Sequence, residues 1–282
     1  MKKFTEIKEL KEWIRELKLT GMSIGFVPTM GYLHEGHLSL VEQAKNENDL
    51  VILSIFVNPL QFGEGEDFDR YPKDKERDLS LASKVGVDAV FMPTVKEMYP
   101  KKMSATLVVH EGTDVLCGAK RPGHFDGVAT VVMKLFGIVA PDRAYFGLKD
   151  AQQVAVIERL VNDYHLDIEI VRGATVREAD GLAKSSRNVN LTSKERVEAP
   201  IIFRSLLKIK DRILNGTYKK VSDVEEGLKE ELSQHITGYI DYAEVRSFPS
   251  LKELNFLQGE LIIAVAVKYS KVRLIDNLIV NV

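Results

Sequence analysis

Ser23-Ile24-Gly25-Phe26-Val27-Pro28-Thr29-Met30-Gly31-Tyr32-Leu33-His34-Glu35-Gly36-His37 decides how this chain is read. Its first five residues are a short apolar run, Pro28 to Gly31 is rich in turn formers, and a helical pattern follows over about residues 36–45. That order is strand, turn, helix. In an open parallel sheet, ligands sit at the carboxyl ends of strands. There the next helix turns its unpaired backbone N–H groups outward, and their partial positive charge suits a phosphate. Gly31 and Gly36 let the backbone come close to such a ligand. His34 and His37, three residues apart, add two imidazoles able to donate to phosphoryl oxygens. Zinc ligation by the pair is the weaker reading, because the single cysteine is distant and no zinc-ligand spacing surrounds it; we expect no metal ligands here.

Outward from this stretch the same alternation repeats. Phe4, Ile7, Leu10, Ile14 and Leu17 recur at three- and four-residue steps and predict an opening amphipathic helix. The run 50–57 reads as a strand buried on both faces, followed by the Asn58-Pro59 turn. A helix over about 74–85, a strand over 88–93, a helix near 127–139, a strand near 143–146, a helix over 151–162 and a strand over 167–176 follow. Such alternation predicts an α/β, Rossmann-like parallel sheet with helices on both faces. After Thr192 the pattern changes to two long charged helices, about 193–214 and 222–235, and then strands over 239–245, 261–268 and 272–280. This is a smaller α+β C-terminal domain with a hairpin turn at Tyr269-Ser270-Lys271. We place the domains at 1–180 and 181–282.

The 282 residues are enough for two cores, and 45% hydrophobic with 28% charged residues is the composition of an ordinary folded protein. Lys and Arg total 39 against 41 Asp and Glu, a net charge of −2, so no overall field exists to hold a nucleic acid or an anionic membrane. Any phosphate chemistry must be local. One cysteine, Cys117, cannot form an internal disulfide, and the charged N-terminus is unlike a signal peptide, so a cytoplasmic setting is expected. No run approaches the roughly 18 apolar residues of a membrane span.

Three further stretches carry chemistry. Gly147-Leu148-Lys149-Asp150 lies where a strand hands over to a helix, with a mobile cation for phosphate and a carboxylate for ribose hydroxyls; a surface lysine and a capping aspartate are the alternative. Gly181-Leu182-Ala183-Lys184-Ser185-Ser186-Arg187-Asn188 is rich in donors and suits a triphosphate, though solvated linkers share that composition. Gln61 after its strand, and Gln153 one turn into its helix, are neutral amides suited to hydroxyls. The glycine-rich stretch 117–127, with Arg121 and His124, reads equally as an anion-binding or a plain structural loop.

Taken together, Pro28-Thr29-Met30-Gly31 with His34-Glu35-Gly36-His37, Phe56-Val57-Asn58-Pro59-Leu60-Gln61-Phe62, Arg121-Pro122-Gly123-His124-Phe125-Asp126-Gly127, Tyr145-Phe146-Gly147-Leu148-Lys149-Asp150 and Ser185-Ser186-Arg187-Asn188 resemble the pantothenate synthetase family. The His-Xaa-Gly-His element alone is shared across the wider nucleotidyltransferase superfamily, including class I aminoacyl-tRNA synthetases. The resemblance implies an ATP-dependent ligase that activates pantoate as an acyl-adenylate and passes it to β-alanine. It implies that Met30, Gly31, Tyr32, Leu33, His34, Glu35, Gly36 and His37 hold ATP, with His37 the proton donor and His34 beside it at the phosphates. Gly147, Leu148, Lys149, Asp150, Val176, Lys184, Ser185, Ser186 and Arg187 would complete the nucleotide site, Lys149 acting at the phosphates with the histidines. Gln61 and Gln153 would bind pantoate, Gln61 also bordering β-alanine. Lys184 departs from the apolar residue relatives often carry, which shifts its implied role to the backbone. Magnesium is expected with ATP's phosphates, a homodimer as the assembly, and the second domain as a lid hinged near Gly181. Two competing readings are another nucleotidyltransferase and a nonenzymatic nucleotide-binding module. tRNA charging is disfavoured by the lack of a basic excess.

Overall fold

Six parallel strands run in the order β1-β4-β3-β2-β5-β6: β1 (Lys2–Phe4), β2 (Ile24–Thr29), β3 (Leu50–Ile55), β4 (Ala89–Phe91), β5 (Arg143–Gly147) and β6 (Glu169–Gly173). The computed structural model to which they belong describes residues 1–66 and 68–282. Between the strands lie α1 (Ile7–Lys18), α2 (Glu35–Glu47), α3 (Lys75–Lys84), α4 (Val95–Met98), α5 (Leu116–Lys120), α6 (His124–Val139) and α7 (Ala151–Asp163). From β2 the chain first builds toward β3 and β4 and later returns to β5 on the other side, so the order reverses beside β2. Reversals of this kind open a crevice at the strands' carboxyl ends.

β2, β3 and β4 are buried on both faces. That explains runs such as Leu50 to Ile55, which are apolar throughout instead of alternating. On one face Val27, Val51, Leu53, Val90 and Tyr145 pack with Leu40, Val41 and Ala44 of α2 and Ala82 of α3. On the other, Phe136 of α6 meets Phe146 of β5 edge-on, with ring centroids 6.4 Å apart. The α/β class expected from sequence is the one observed.

Three expected elements differ. Phe4 belongs to β1, paired in parallel with β4, and the helix begins only at Ile7. Phe4 shares the helix's apolar stripe because its ring stacks on Trp13 of that helix at 5.3 Å. The single helix expected over 193–214 is two, α8 (Ser193–Glu198) and α9 (Pro200–Leu214), since Pro200 has no N–H to continue the ladder. β6 is half the expected length.

By their internal packing the described residues divide into two units. The first comprises Met1–His110, Arg121–Leu148 and Val156–Ala174, the second Glu111–Lys120, Lys149–Ala155 and Thr175–Val282. Besides α5 and the start of α7, the second contains α8, α9, α10 (Val221–Ser233) and an antiparallel sheet of β7 (Tyr239–Ser247), β8 (Glu260–Lys268) and β9 (Arg273–Asn281). Leu261, Ile263, Val265 and Val267 line one face of β8 and pack with Ile202, Leu206 and Ile209 of α9 and Val224, Leu228 and Leu232 of α10. The hairpin between β8 and β9 closes where expected, with Tyr269 N–H donating to the Val272 carbonyl at 2.8 Å. Among the described residues no helix is long and apolar enough to cross a membrane.

Candidate active site

The turn between β2 and α2 is held by its own side chains and by one residue from α3. Gly31 and Tyr32 both adopt left-handed backbone, with φ of 85° and 51°. For tyrosine this costs about 1–2 kcal/mol. The compensation is Asp78, 2% exposed, whose carboxylate accepts the N–H groups of Tyr32 at 2.8 Å and Leu33 at 2.7 Å. Hydrogen bonds to a charged group contribute about 1.5–3 kcal/mol each, more than the strain they offset. A Cβ on Gly31 would lie 2.9 Å from the Ile55 side chain and 3.0 Å from Asp78 Oδ2, so the position has no room for one.

His34 caps α2: its Nδ1 accepts from Gly36 N–H at 3.2 Å, while His37 Nδ1 accepts from His34 N–H at 3.3 Å. The two rings lie 4.0 Å apart between centroids. A neutral imidazole that accepts at Nδ1 carries its proton on Nε2. Both rings therefore carry their N–H at Nε2. Here the expectation from sequence needs correcting, for the turn does not present a row of open amides. Gly31 N–H is taken by Thr29 Oγ1 at 3.2 Å, the next two by Asp78, the next by His37, and Gly36 N–H by His34. The imidazoles replace those amides as the turn's donors.

The carboxyl end of β3 meets this turn. Gln61 is buried at the end of a short 3₁₀ turn, Pro59–Gln61; its Nε2 donates to Met30 Sδ at 3.1 Å and its Oε1 accepts from Asn58 Nδ2 at 3.1 Å. Asn58, 1% exposed, also receives the Tyr99 hydroxyl at 2.8 Å. Burial pushes that phenol up to about 12, so it stays a donor at any ordinary pH. Gly147 ends β5, which is parallel to β2, and Leu148 follows it, so both lie at the same edge of the sheet. An edge that joins paired donors, a fixed amide and a strand-order reversal suits a phosphorylated ligand with a hydroxylated partner.

The family model for pantoate-β-alanine ligase matches residues 2–279. The chain belongs to the pantoate-β-alanine ligase family. A pantothenate synthetase from Bacillus pumilus is 57% identical over 278 residues, covering 99% of this chain and 96% of that one. The solved pantothenate synthetase of Thermus thermophilus is 45% identical with a TM-score of 0.92, over 99% of both chains. The ligase of Francisella tularensis, solved in complex with beta-gamma ATP and beta-alanine, is 35% identical with a TM-score of 0.81, over 99% of this chain and 97% of that one. The protein is thus a pantoate-β-alanine ligase in class, an enzyme joining pantoate to β-alanine with ATP as a substrate.

In this ligase the remaining candidate residues belong to the second unit. Lys149 is largely buried, its Nζ 3.7 Å from Asp150 Oδ2, and its carbonyl accepts from Asn277 Nδ2 at 3.0 Å. Gln152 is structural: its Oε1 accepts Cys117 N–H at 2.9 Å and its Nε2 donates to the Gly112 and Val115 carbonyls at 2.8 Å. Its neighbour Gln153 is half-exposed. Lys184 N–H donates to the Val176 carbonyl at 2.9 Å, closing a small hairpin with Gly181 near its tip. The Lys184 ammonium pairs with Glu178 at 2.9 Å, so its backbone and side chain have different partners. Ser185 caps the 3₁₀ turn Ser186–Asn190 by accepting Arg187 N–H at 3.3 Å, and Ser186 is buried.

Asp78 and Asn58 received no role from the sequence. Asp78 sits in the charged stretch Lys75-Glu76-Arg77-Asp78, where nothing local separates a carboxylate turned inward from its solvated neighbours. Asn58 stood in a turn signal, Asn-Pro, which accounts for it without a site.

Proposed function

We propose that the ligase works through a pantoyl-adenylate formed at the His34/His37 turn. A carboxylate is a poor acyl donor because its oxygen is a poor leaving group, and ATP supplies a better one. Pantoate's carboxylate attacks the α-phosphorus in line and pyrophosphate leaves. The amine of β-alanine then attacks the mixed anhydride, giving pantothenate and AMP. Negative charge develops on the phosphoryl oxygens, and donors fixed before the reaction stabilise it without reorganising. We assign that role to His37, His34 and Lys149. The observation that carries the reading is the imidazole pair, with ring centroids 4.0 Å apart, whose Nδ1 atoms both accept backbone N–H groups and whose protons therefore sit on Nε2.

On the same reading ATP contacts Met30, Gly31, Tyr32, Leu33, Glu35 and Gly36 besides the histidines, together with Gly147, Leu148, Asp150, Val176, Lys184, Ser185, Ser186 and Arg187. Gln61 and Gln153 take pantoate, and Gln61 borders β-alanine. Magnesium enters with ATP, held by phosphate oxygens and water, as suits an ion that dehydrates reluctantly. Residues 1–180 form the nucleotide- and pantoate-binding domain and residues 181–282 the smaller domain. The working form is a cytoplasmic homodimer.

The test is to incubate the protein with MgATP, pantoate and β-alanine, omitting each in turn. AMP should form only when both organic substrates are present. His37→Ala should keep the native circular dichroism yet lower pyrophosphate release by about a hundredfold or more, the loss typical of one transition-state donor. Near-normal release from that variant would remove His37 from the centre of the mechanism.

A further inference from the structure

Gln61 is gripped from both sides, and only one grip involves its side chain. The other closes on its main-chain carbonyl, which accepts from His124 Nδ1 at 2.7 Å and from an Arg121 terminal nitrogen at 3.4 Å. Arg121 in turn donates from Nε to Glu66 Oε1 at 2.7 Å, pairs with Glu66 Oε2 through a terminal nitrogen, and places its other terminal nitrogen 2.9 Å from His124 Nε2. A guanidinium has donors and no acceptor, so His124 Nε2 must accept. The imidazole is then neutral with its proton on Nδ1, the nitrogen that faces the Gln61 carbonyl. The direction of every bond from Glu66 to Gln61 follows from the single fact that Arg121 cannot accept.

The surroundings leave this chain of bonds little slack. α6 starts so close to the 3₁₀ turn that a Cβ on Gly127 would fall 2.2 Å from the Leu60 carbonyl oxygen. Asn58 Nδ2 bridges the same two elements, donating to the Gly127 carbonyl at 3.0 Å as well as to Gln61 Oε1 at 3.1 Å. Burial alone would raise the Glu66 carboxyl, but its hydrogen bond to Arg121 and that residue's charge outweigh it and hold the group below its usual range. The anchor of the chain is thus favoured in its charged form.

We propose that Arg121 and His124 are positioning residues for pantoate, acting through the Gln61 peptide that they hold from behind the side chain. The inference rests on Gln61 as the pantoate contact. A carbonyl fixed by an imidazole and a guanidinium cannot rotate its peptide plane, and so the Gln61 amide stays aimed while Asn58 and Met30 set its last torsion. A displacement of about 1 Å at a positioning contact is enough to cost up to a hundredfold.

The experiment compares His124→Ala, His124→Asn, Gln61→Ala and the His124→Ala/Gln61→Ala double variant in full-length enzyme, reading KM for pantoate and for ATP, kcat, and the thermal midpoint. Loss of one hydrogen bond that aims a contact should raise the pantoate KM about tenfold in His124→Ala while leaving the ATP KM within about twofold. His124→Asn, whose amide N–H takes the place of Nδ1–H, should recover most of the loss. In the Gln61→Ala background, adding His124→Ala should change the pantoate KM by less than about twofold, because coupled residues are not additive. Arg121→Lys, which keeps the charge facing Glu66 but loses the fork, provides a second variant with the same expected selectivity if His124→Ala does not fold. A rise in both KM values together, or an undiminished His124→Ala effect without Gln61, overturns the proposal. If Gln61→Ala raises the pantoate KM and His124→Ala does not, the positioning role alone falls; if Gln61→Ala is silent, the assignment of Gln61 to pantoate falls and takes this role with it.

Discussion

Asp78 shows how much of the site is decided one residue away from the motif. Its carboxylate holds Tyr32 and Leu33 N–H at 2.8 and 2.7 Å and so keeps two successive left-handed residues in place. The histidines follow directly, and their rings keep their aim only while the turn keeps its shape. Asp78→Asn replaces one acceptor with a donor that faces an N–H, so it both loses a charge-assisted bond and introduces a repulsive contact. We expect a loss of about 1.5–3 kcal/mol in urea unfolding, the typical value for a hydrogen bond to a charged group. We also expect the KM for ATP to rise more than that for pantoate, in initial-rate measurements with each substrate varied. An unchanged ATP KM in a destabilised protein would confine Asp78 to folding. None of this was legible in the sequence, where His34 and His37 stood out by type and spacing but their support did not.

Among elements, the start of α1 is a boundary that sequence missed because no local signal marks it. Glu6 precedes α1 without a capping hydrogen bond from its side chain, so nothing separated Phe4 from the helical stripe that its ring joins in space. α8 is the opposite case, with a complete capping box in its own sequence: Glu195 N–H donates to Thr192 Oγ1 at 3.4 Å while Glu195 Oε2 accepts Thr192 N–H at 2.8 Å. Yet Glu195 has a second task that local sequence does not show, since its Oε1 accepts Ser270 N–H, from the β8–β9 hairpin, at 2.8 Å. The backbone N–H groups of Ser270 and Thr192 lower its carboxyl from 4.5 to about 2. A group whose pKa falls on folding stabilises the fold fully above its unfolded value, and that contribution is lost as pH drops through the folded one. The Glu195 share should therefore be intact above pH 4.5 and fade toward pH 2. Glu195→Gln should show a smaller fall in urea midpoint between pH 5 and 3 than the parent protein; an equal fall would place the acid sensitivity elsewhere.

For the whole molecule, the alternation of strands and helices in the first part and the two-helix, three-strand pattern in the last were both readable, because each is a long periodic signal. Less readable were the segments that pack away from their sequence neighbours: residues 111–120 and 149–155 group with the second unit although the chain around them groups with the first. Contacts of this kind have no periodicity. The assembly belongs to this scale too. A homodimer predicts a light-scattering mass close to twice 31.7 kDa, independent of concentration over the micromolar range in which the enzyme is assayed. A mass of one chain across that range would discard the dimer.

The sequence by itself determined the parallel sheet, its companion antiparallel sheet and the family, because buried strands, amphipathic helices and glycine turns leave periodic or positional marks along the chain. It also singled out His34, His37 and Gln61 as candidates, by their types and their places at strand ends. Only the tertiary structure decided which nitrogen of each histidine carries the proton, that Asp78 takes the Tyr32 and Leu33 amides of the turn expected to meet phosphate, and that Arg121 and His124 close on the Gln61 carbonyl. The physical reason is the same for all three. A hydrogen bond is made between atoms that meet in space, and its partners here lie from two to more than sixty residues apart, so residue type and spacing along the chain do not record which atoms meet.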